Sequence, residues 1–227
     1  MILKDISFAR AQENVAYDQT ILELAEAGSS GEVLRFWESR EYFIVLGRTS
    51  KSEEDVNLVK IKRDGLKIAR RISGGGTVLQ GPGCLNYSLV LNYERSPLLK
   101  NIRSSYDFIL GYVINSLRKL GIEARHEGLS DLVIGEMKFS GNAQCRRKKY
   151  LLHHGTILYN FNIERIEEYV NVPCQEPAYR QRRSHRDFLT NIEVKSGDIK
   201  KAIAKAWIDK YSCVESGGIL LTLPGRT

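Results

Sequence analysis

The segment RRISGGGTVLQGPG, residues 70–83, sets two arginines, a serine and three consecutive glycines ahead of a β-prone run. Glycine has no Cβ, so a backbone of this kind can approach a ligand closely and aim its N–H groups at an anion. Arg70 and Arg71 would add charge and forked donors. A tight hairpin or a β-bulge that needs positive φ would use the same residues. The usual nucleotide loops are excluded. No Lys-Ser or Lys-Thr pair follows the last glycine, and SGGG leads into the β-prone TVLQ rather than into a helix.

Three further stretches carry chemistry. GEMKFSGNAQ places a single lysine, Lys138, just before Ser140 and Gly141, and LLHHGTILYN sets His154, Gly155 and Thr156 inside an apolar strand. GLSDLVIG puts Asp131 at the head of a β-prone run. Taken singly, each has a plain structural alternative: a solvated hairpin lysine, one surface and one hydrogen-bonded core histidine, a turn-forming aspartate.

The elements that must position these groups are legible from periodicity. Residues 12–27 carry Val15, Ile21, Leu22, Leu24 and Ala25 at helical spacing and stop at Gly28, so a helix is expected. EVLRFWES and YFIVLGR read as a strand pair joined tightly through Arg40 and Glu41. LKIARRISGGGTVLQGPGCLNYSLVLNY reads as three strands separated by two glycine turns. Residues 103–120 form a second helix, DLVIGEMKFSG a hairpin about Gly135, and YLLHHGTILYNF a further strand. NIERIEEYV and DIKKAIAKAWIDKY complete the chain as helices. Strands joined by hairpins, with few and well separated helices, predict an α+β fold with a mostly antiparallel or mixed β-sheet and helices packed on it. No linker or repeat interrupts it, so residues 1–227 are expected to form one domain.

Composition narrows the class. Lys plus Arg number 34 against 27 Asp plus Glu, a formal charge of +7, which favours an acidic partner or substrate. No nucleic-acid-reading motif accompanies the charge. The four cysteines lack CxxC or zinc-like spacing and read as reduced thiols. No basic-then-apolar leader and no run of about 18 apolar residues is present, so a cytoplasmic protein that meets no membrane is expected.

Together and in order, the motifs resemble a family: the catalytic domain shared by lipoate-protein ligases, octanoyl and lipoyl transferases and, more distantly, biotin-protein ligases. RRISGGGTVLQGPGCLNYS looks like the RRxSGGGxV…GxLNxS segment, SDLVIGEMKFSGNAQ like NDLxxxGxKxSGxA, and LLHHGTILYN like LHHGTLL. The similarity covers roughly residues 10–192, with lipoate-protein ligase A nearest in pattern. It implies an acyl chain lying in an apolar tunnel over the sheet, its carbonyl at the glycine loop and beside the motif lysine, here Lys138. That ammonium and the backbone N–H groups of Gly75 and Gly76 would stabilise the developing oxyanion. The resemblance also implies an acyl-adenylate made from ATP, with Arg71 and Lys138 facing its phosphate and Asp131 positioning Mg²⁺ or the adenylate. Ser73, Gly74, Asn86, Ser140, Gly141, His154, Gly155 and Thr156 match pocket positions. Lipoate or octanoate would be the acid, and a lysine on an acidic lipoyl-acceptor domain, of E2 or glycine-cleavage H type, the second substrate.

The family divides by chemistry. Transferases take the acyl group from a carrier thioester, many through a cysteine. One type has CxxHG, where this chain has Leu151, and another has cysteine just before DLV, where HEGLSDLV has none. Cys145 beside Arg146, Arg147, Lys148 and Lys149, and Cys84 within the first motif, match neither pattern. A ligase is therefore expected, with transferase activity and non-catalytic acyl binding as alternatives. Many ligases carry a C-terminal accessory domain for acid activation; only about 35 residues follow Asn191 here, so a single catalytic domain without it is expected, with either unaided activation or a separate accessory chain. PAYRQRRSHRDFLTNI is unusually basic. Its Arg180, Arg182, Arg183 and His185 would reach phosphates or the acceptor, or form a solvated loop. Arg146 and Arg147 are expected to steer the acceptor.

Overall fold

The structure, a computed structural model, describes residues 1–173 and 176–208. The chain runs through β1 (Ile2–Asp5), α1 (Ala11–Glu26), β2 (Val33–Trp37), β3 (Phe43–Leu46), α2 (Ser52–Asp55), α3 (Leu58–Arg63), β4 (Lys67–Arg70), β5 (Val78–Gln80), β6 (Cys84–Asn92) and α4 (Ile102–Arg118). It continues through β7 (Arg125–Glu127), β8 (Asp131–Ile134), β9 (Met137–Arg146), β10 (Tyr150–Leu158), α5 (Glu164–Tyr169), α6 (His185–Phe188) and α7 (Ser196–Ile208). A large sheet has the order β1-β2-β6-β10-β9-β8-β7, antiparallel except for the parallel β1/β2 pair, and a small sheet has the order β4-β3-β5. The α+β expectation holds.

Strand alternation gives the large sheet two different faces. On one, Leu34, Phe36, Leu85, Leu89, Leu151 and Ile157 form the main core with α4 and α7. α4 folds there because Tyr106, Ile109, Leu110, Val113 and Leu117 fall on one stripe, while Asn101 caps its start by accepting from Ser104 N at 3.2 Å. Each fully buried side chain of this size stabilises the fold by roughly 1.5–3 kcal/mol. The opposite face is covered by α1 and the small sheet, and it is less uniform. Val33, Val90, Leu152 and Cys145 pack on Ile21, Leu22 and Ala25 of α1. One row further along, Arg35, Ser88, His154 and Ala143 stand in register across four strands.

The expected pairing of EVLRFWES with YFIVLGR is wrong. β2 pairs with β1 and β6, whereas β3 pairs with β4 and β5, so the two strands lie in different sheets. Both are buried at every position, which fits strands covered on both faces, and Ser39 Oγ donates to Glu41 O at 2.8 Å in the turn where the chain crosses over. The three strands around the glycine clusters do form, yet none pairs with the next: β4 and β5 flank β3, and β6 joins the large sheet. The four expected helices and the hairpin about Gly135 lie where periodicity places them, whereas the short α2, α3 and α6 are unexpected; residues 209–211 of the last helical stretch fall outside the described residues. None of the described helices is long and apolar enough to cross a membrane.

Candidate functional site

A cleft of about 880 Å³ lies between the two sheets. Val45, Val78 and Leu79 of the small sheet and Trp37 and Val15 make part of its wall apolar, and Asp18, Asn86, Lys138, Asp131, His154 and Thr156 bring polar groups. That volume accommodates a small organic substrate with a nucleotide-sized group.

The glycine loop joins β4 to β5 and forms one edge of the cleft. Gly75 has φ +86°, which only glycine adopts without strain, and an added Cβ on Gly47 would meet its carbonyl oxygen at 2.0 Å. Gly74 and Gly76 have open space where a Cβ would stand. Arg71 folds onto this loop rather than reaching outward. Its Nη2 donates to Gly74 O (2.8 Å) and Gly76 O (2.7 Å), and its Nε donates to Ser73 Oγ (3.1 Å). Burial lowers the guanidinium to about 10, still protonated at neutral pH. Arg70 is exposed and donates to the carbonyls of Gly47 and Ser50, so it braces the loop after β3 and does not border the cleft.

Lys138 arrives by way of a β-bulge. The β8/β9 register shifts between Leu132 and Val133, so that Asp131 faces Gly141 while Val133 faces Lys138. Without the inserted residue Val133 would face Phe139, and the lysine would point to the core side. As built, Lys138 Nζ lies 2.9 Å from Asp131 Oδ1, and a Cβ on Gly141 would meet Lys138 Cε and Nζ at 3.1 Å. Gly75 approaches β9 at Ala143. Two residues of strand separate that point from Gly141, about 7 Å, enough for a carboxyl or phosphate group between the loop and the ammonium. Asp131 also accepts from Tyr179 OH at 2.7 Å; burial, then the charge of Asp131, raises that phenol, which stays protonated.

His154 links the loop to the helix: its Nε2 lies 2.6 Å from Ser73 Oγ and its Nδ1 3.1 Å from Asp18 Oδ2. Gly155 gives room to Asn142, whose Oδ1 would lie 1.8 Å from an added Cβ and accepts from Tyr87 OH at 2.5 Å. Asn142 Nδ2 in turn donates to Ser140 Oγ at 3.1 Å. Thr156 Oγ1 accepts from Gly141 N at 3.5 Å, and Asn86 exchanges hydrogen bonds with Gln80 across the two sheets at 2.8 and 3.0 Å. The basic segment after Pro177 is only in part a solvated loop, since Arg182 is exposed whereas Arg180 and His185 are buried. Arg180 is buried, 4.7 Å above the Phe188 ring, and Arg183 donates to Glu136 O and Tyr179 O, tying the segment to the Lys138 hairpin. His185 is buried and lowered by desolvation. Arg180 borders the cleft, and Arg183 does not.

Residues 10–207 match the family model described as the lipoyl protein ligase A/B catalytic domain. The chain belongs to that family. Among curated relatives, a probable lipoate-protein ligase A of Mycoplasma pneumoniae is 31% identical over 180 residues, covering 79% of this chain and 52% of that protein. This chain thus spans about half of that relative's length. The octanoyltransferase LipM of Oceanobacillus iheyensis is 27% identical over 201 residues, covering 82% and 73%. A chain from the archaeal lipoylation system of Thermoplasma acidophilum, a bi-partite lipoate protein ligase and its E2 lipoyl domain, superposes with TM-score 0.79 at 25% identity, covering 97% and 87%. A lipoate-protein ligase A bound with ATP superposes with TM-score 0.77 at 26% identity, covering 97% and 89%.

Among the described residues, neither Leu151 nor Cys145 borders the cleft. Leu151, at the CxxHG position, is fully buried in the main core, and Cys145 packs against α1. Cys84 borders the cleft, but burial pushes its thiol far up. Cys174 and Cys213 lie outside the described residues. Among the described residues no group of three or more His, Cys, Asp or Glu side chains is placed to hold a metal, and Asp131 already accepts from Lys138 and Ser130 at Oδ1 and from Tyr179 at Oδ2. Such a donor set suits an ion carried in on nucleotide phosphates, which needs one or two carboxylates.

Sequence reading missed Asp18, Asn142, Gln80, Tyr179 and Gly47. Asp18 did leave a signal: it lies among Val15, Ile21, Leu22 and Ala25 on the buried stripe of α1, where a carboxylate needs a partner.

Proposed function

We propose that this chain is a lipoate-protein ligase that activates lipoate, or octanoate, with ATP and passes the acyl group to a lysine amine on an E2 or glycine-cleavage H-type lipoyl-acceptor domain. The observation that carries the reading is Lys138, held by Asp131 at 2.9 Å over Gly141, two strand residues from the point where the glycine loop meets β9. The cleft has room for an acyl-adenylate, and the ATP-bound relative supports the nucleotide.

The apolar wall of Val15, Trp37, Val45 and Val78 takes the acyl chain. In the first step a carboxylate oxygen of the acid bonds to the α-phosphorus of ATP and pyrophosphate leaves. In the second the acceptor amine attacks the carbonyl, the amide forms, AMP leaves and the amine loses its proton. The Lys138 ammonium and the Gly75 and Gly76 N–H groups face the oxygen on which negative charge grows; preorganised donors of this kind lower a barrier by about 3–4 kcal/mol each. Arg71 holds the loop carbonyls away from that charge. Mg²⁺ would screen the phosphates, with Asp131 the carboxylate beside them. The bi-partite Thermoplasma relative supports a separate accessory chain in acid activation. A cytoplasmic enzyme, with neither membrane nor nucleic acid as partner, remains the expectation.

The LipM relative favours a second reading, ATP-independent acyl transfer from a carrier protein. One experiment separates them: mass spectrometry of an acceptor domain after incubation with lipoate, ATP and Mg²⁺ in one tube and octanoyl-carrier protein in another. Modification in the first tube supports the ligase. Modification only in the second replaces it with the transferase. Replacing Lys138 with Ala should abolish transfer in a folded protein, and unchanged acylation would refute the mechanism.

A further inference from the structure

Asp18 belongs to none of the three sequence motifs, yet its carboxylate is the hub of a polar cluster facing the cleft. It is 3% exposed. Its Oδ1 accepts from Arg35 Nη1 at 2.7 Å, and its Oδ2 accepts from Ser88 Oγ at 2.7 Å and lies 3.1 Å from His154 Nδ1. Burial pushes this carboxyl up, but the hydrogen bond to His154 and the charge of Arg35, with Ser88 adding to them, outweigh it and keep the group below its ordinary value. An ionised carboxylate only accepts, so His154 must carry its proton on Nδ1. In the neutral ring Nε2 is then a bare lone pair, 2.6 Å from Ser73 Oγ, and the serine hydroxyl must donate to it. The same oxygen accepts from Arg71 Nε at 3.1 Å, while the other Arg71 donors hold Gly74 O and Gly76 O. With the ring neutral, the bonds of the series share one direction, running from Arg71 through Ser73 and His154 to Asp18.

We infer that Asp18 is a positioning residue: by fixing the His154 tautomer it fixes the Ser73 hydroxyl, and so holds the glycine loop in the shape that receives the activated acyl group. The inference rests on the ligase reading of that loop. An Asp-His-Ser series also resembles the relay that activates a serine nucleophile, but Ser73 is 1% exposed and does not border the cleft, so no acyl carbonyl reaches its oxygen. The role left to the series is orientation. Sequence spacing hides it, because the three residues come from α1, the β4–β5 loop and β10 and meet only through the in-register row of Arg35, Ser88 and His154.

Asp18→Asn tests this. The amide keeps the shape but offers an N–H to Nδ1, which moves the ring proton to Nε2 and reverses the bond at Ser73. Nitrogen-15 NMR of His154 in the full chain should show the Nδ1–H tautomer in the wild type and the Nε2–H tautomer in the variant. With lipoate, ATP and an acceptor domain, kcat should fall about 100-fold, the scale of a small misplacement of reacting groups, while KM for lipoate stays within about threefold. A folded Asp18→Asn protein with wild-type kcat, or one whose His154 tautomer is unchanged, overturns the inference. Should loss of the Arg35 countercharge prevent folding, Ser73→Ala decides. It should lower kcat about tenfold or more at an unchanged unfolding temperature; wild-type kcat in that variant refutes the orienting role. A wild-type chain that acylates nothing counts against the ligase reading alone, and the nitrogen shifts still decide whether Asp18 sets the tautomer.

Discussion

Lys138 reaches the cleft because β9 carries one residue more than β8 can pair, and it rests there because Gly141 leaves space beneath its ammonium. The lysine itself was legible only through the ordered motifs, since taken singly it reads equally as a solvated hairpin lysine. The bulge was not, because register depends on the partner strand. Asp18 was hidden for a related reason: a buried carboxylate is explained only by Arg35, Ser88 and His154, which come from three different strands. Gly141→Ala should therefore lower kcat about tenfold by displacing the ammonium, while changing stability by less than about 1 kcal/mol, since the crowded atoms end a flexible side chain. Steady-state kinetics beside thermal unfolding checks both halves. Cys84→Ser and Cys145→Ala should each keep at least half the activity; loss of acylation in Cys84→Ser would bring back a thiol mechanism.

Among the elements, the small sheet holds the glycine loop in place. The end of β3 passes so near Gly75 O that residue 47 must be glycine, and Arg48 N donates to Ser73 O at 2.8 Å just beyond it. Gly47→Ala should cost about 1–3 kcal/mol, as over-packed sites do, and also weaken lipoate binding; urea unfolding and calorimetric titration would show the two losses together. The expectation that Arg146 steers the acceptor is corrected at this scale. Its guanidinium donates to Leu99 O at 2.5 Å and Lys100 O at 3.1 Å and lies over the Tyr93 ring, so it ties β9 to the chain entering α4. Arg146→Ala should thus destabilise the fold by about 1–3 kcal/mol, with little change in KM for the acceptor. The longer helices α1, α4 and α7 were legible because a 3.6-residue stripe is a local property, whereas the short α2, α3 and α6 carry too few turns to show one. The partners of β2 and β3 were not, since two fully buried strands look alike whichever sheet takes them.

For the molecule as a whole, burial sets the acid limit. His153 is enclosed by the core, and desolvation first, then the neighbouring His154 and His126, lowers its pKa to about 3. The unfolded chain would take up that proton near pH 6.5, so between those values it binds one proton more than the folded chain. Stability should then fall with pH below 6.5 by about 1.4 kcal/mol per unit from this residue. Urea unfolding at pH 7 and pH 5 should show the wild type losing about 2 kcal/mol more than His153→Gln; equal losses would contradict the assignment. The net charge of +7 should speed encounter with an acidic acceptor and make its KM rise with salt. The most direct measurement of the account is mass spectrometry of a lipoyl-acceptor domain after incubation with this chain, lipoate, ATP and Mg²⁺, the accessory chain added if acyl-AMP fails to form alone. The account predicts a lipoyl mass increase on one lysine, abolished by Lys138→Ala. Full acylation by that folded variant would contradict it.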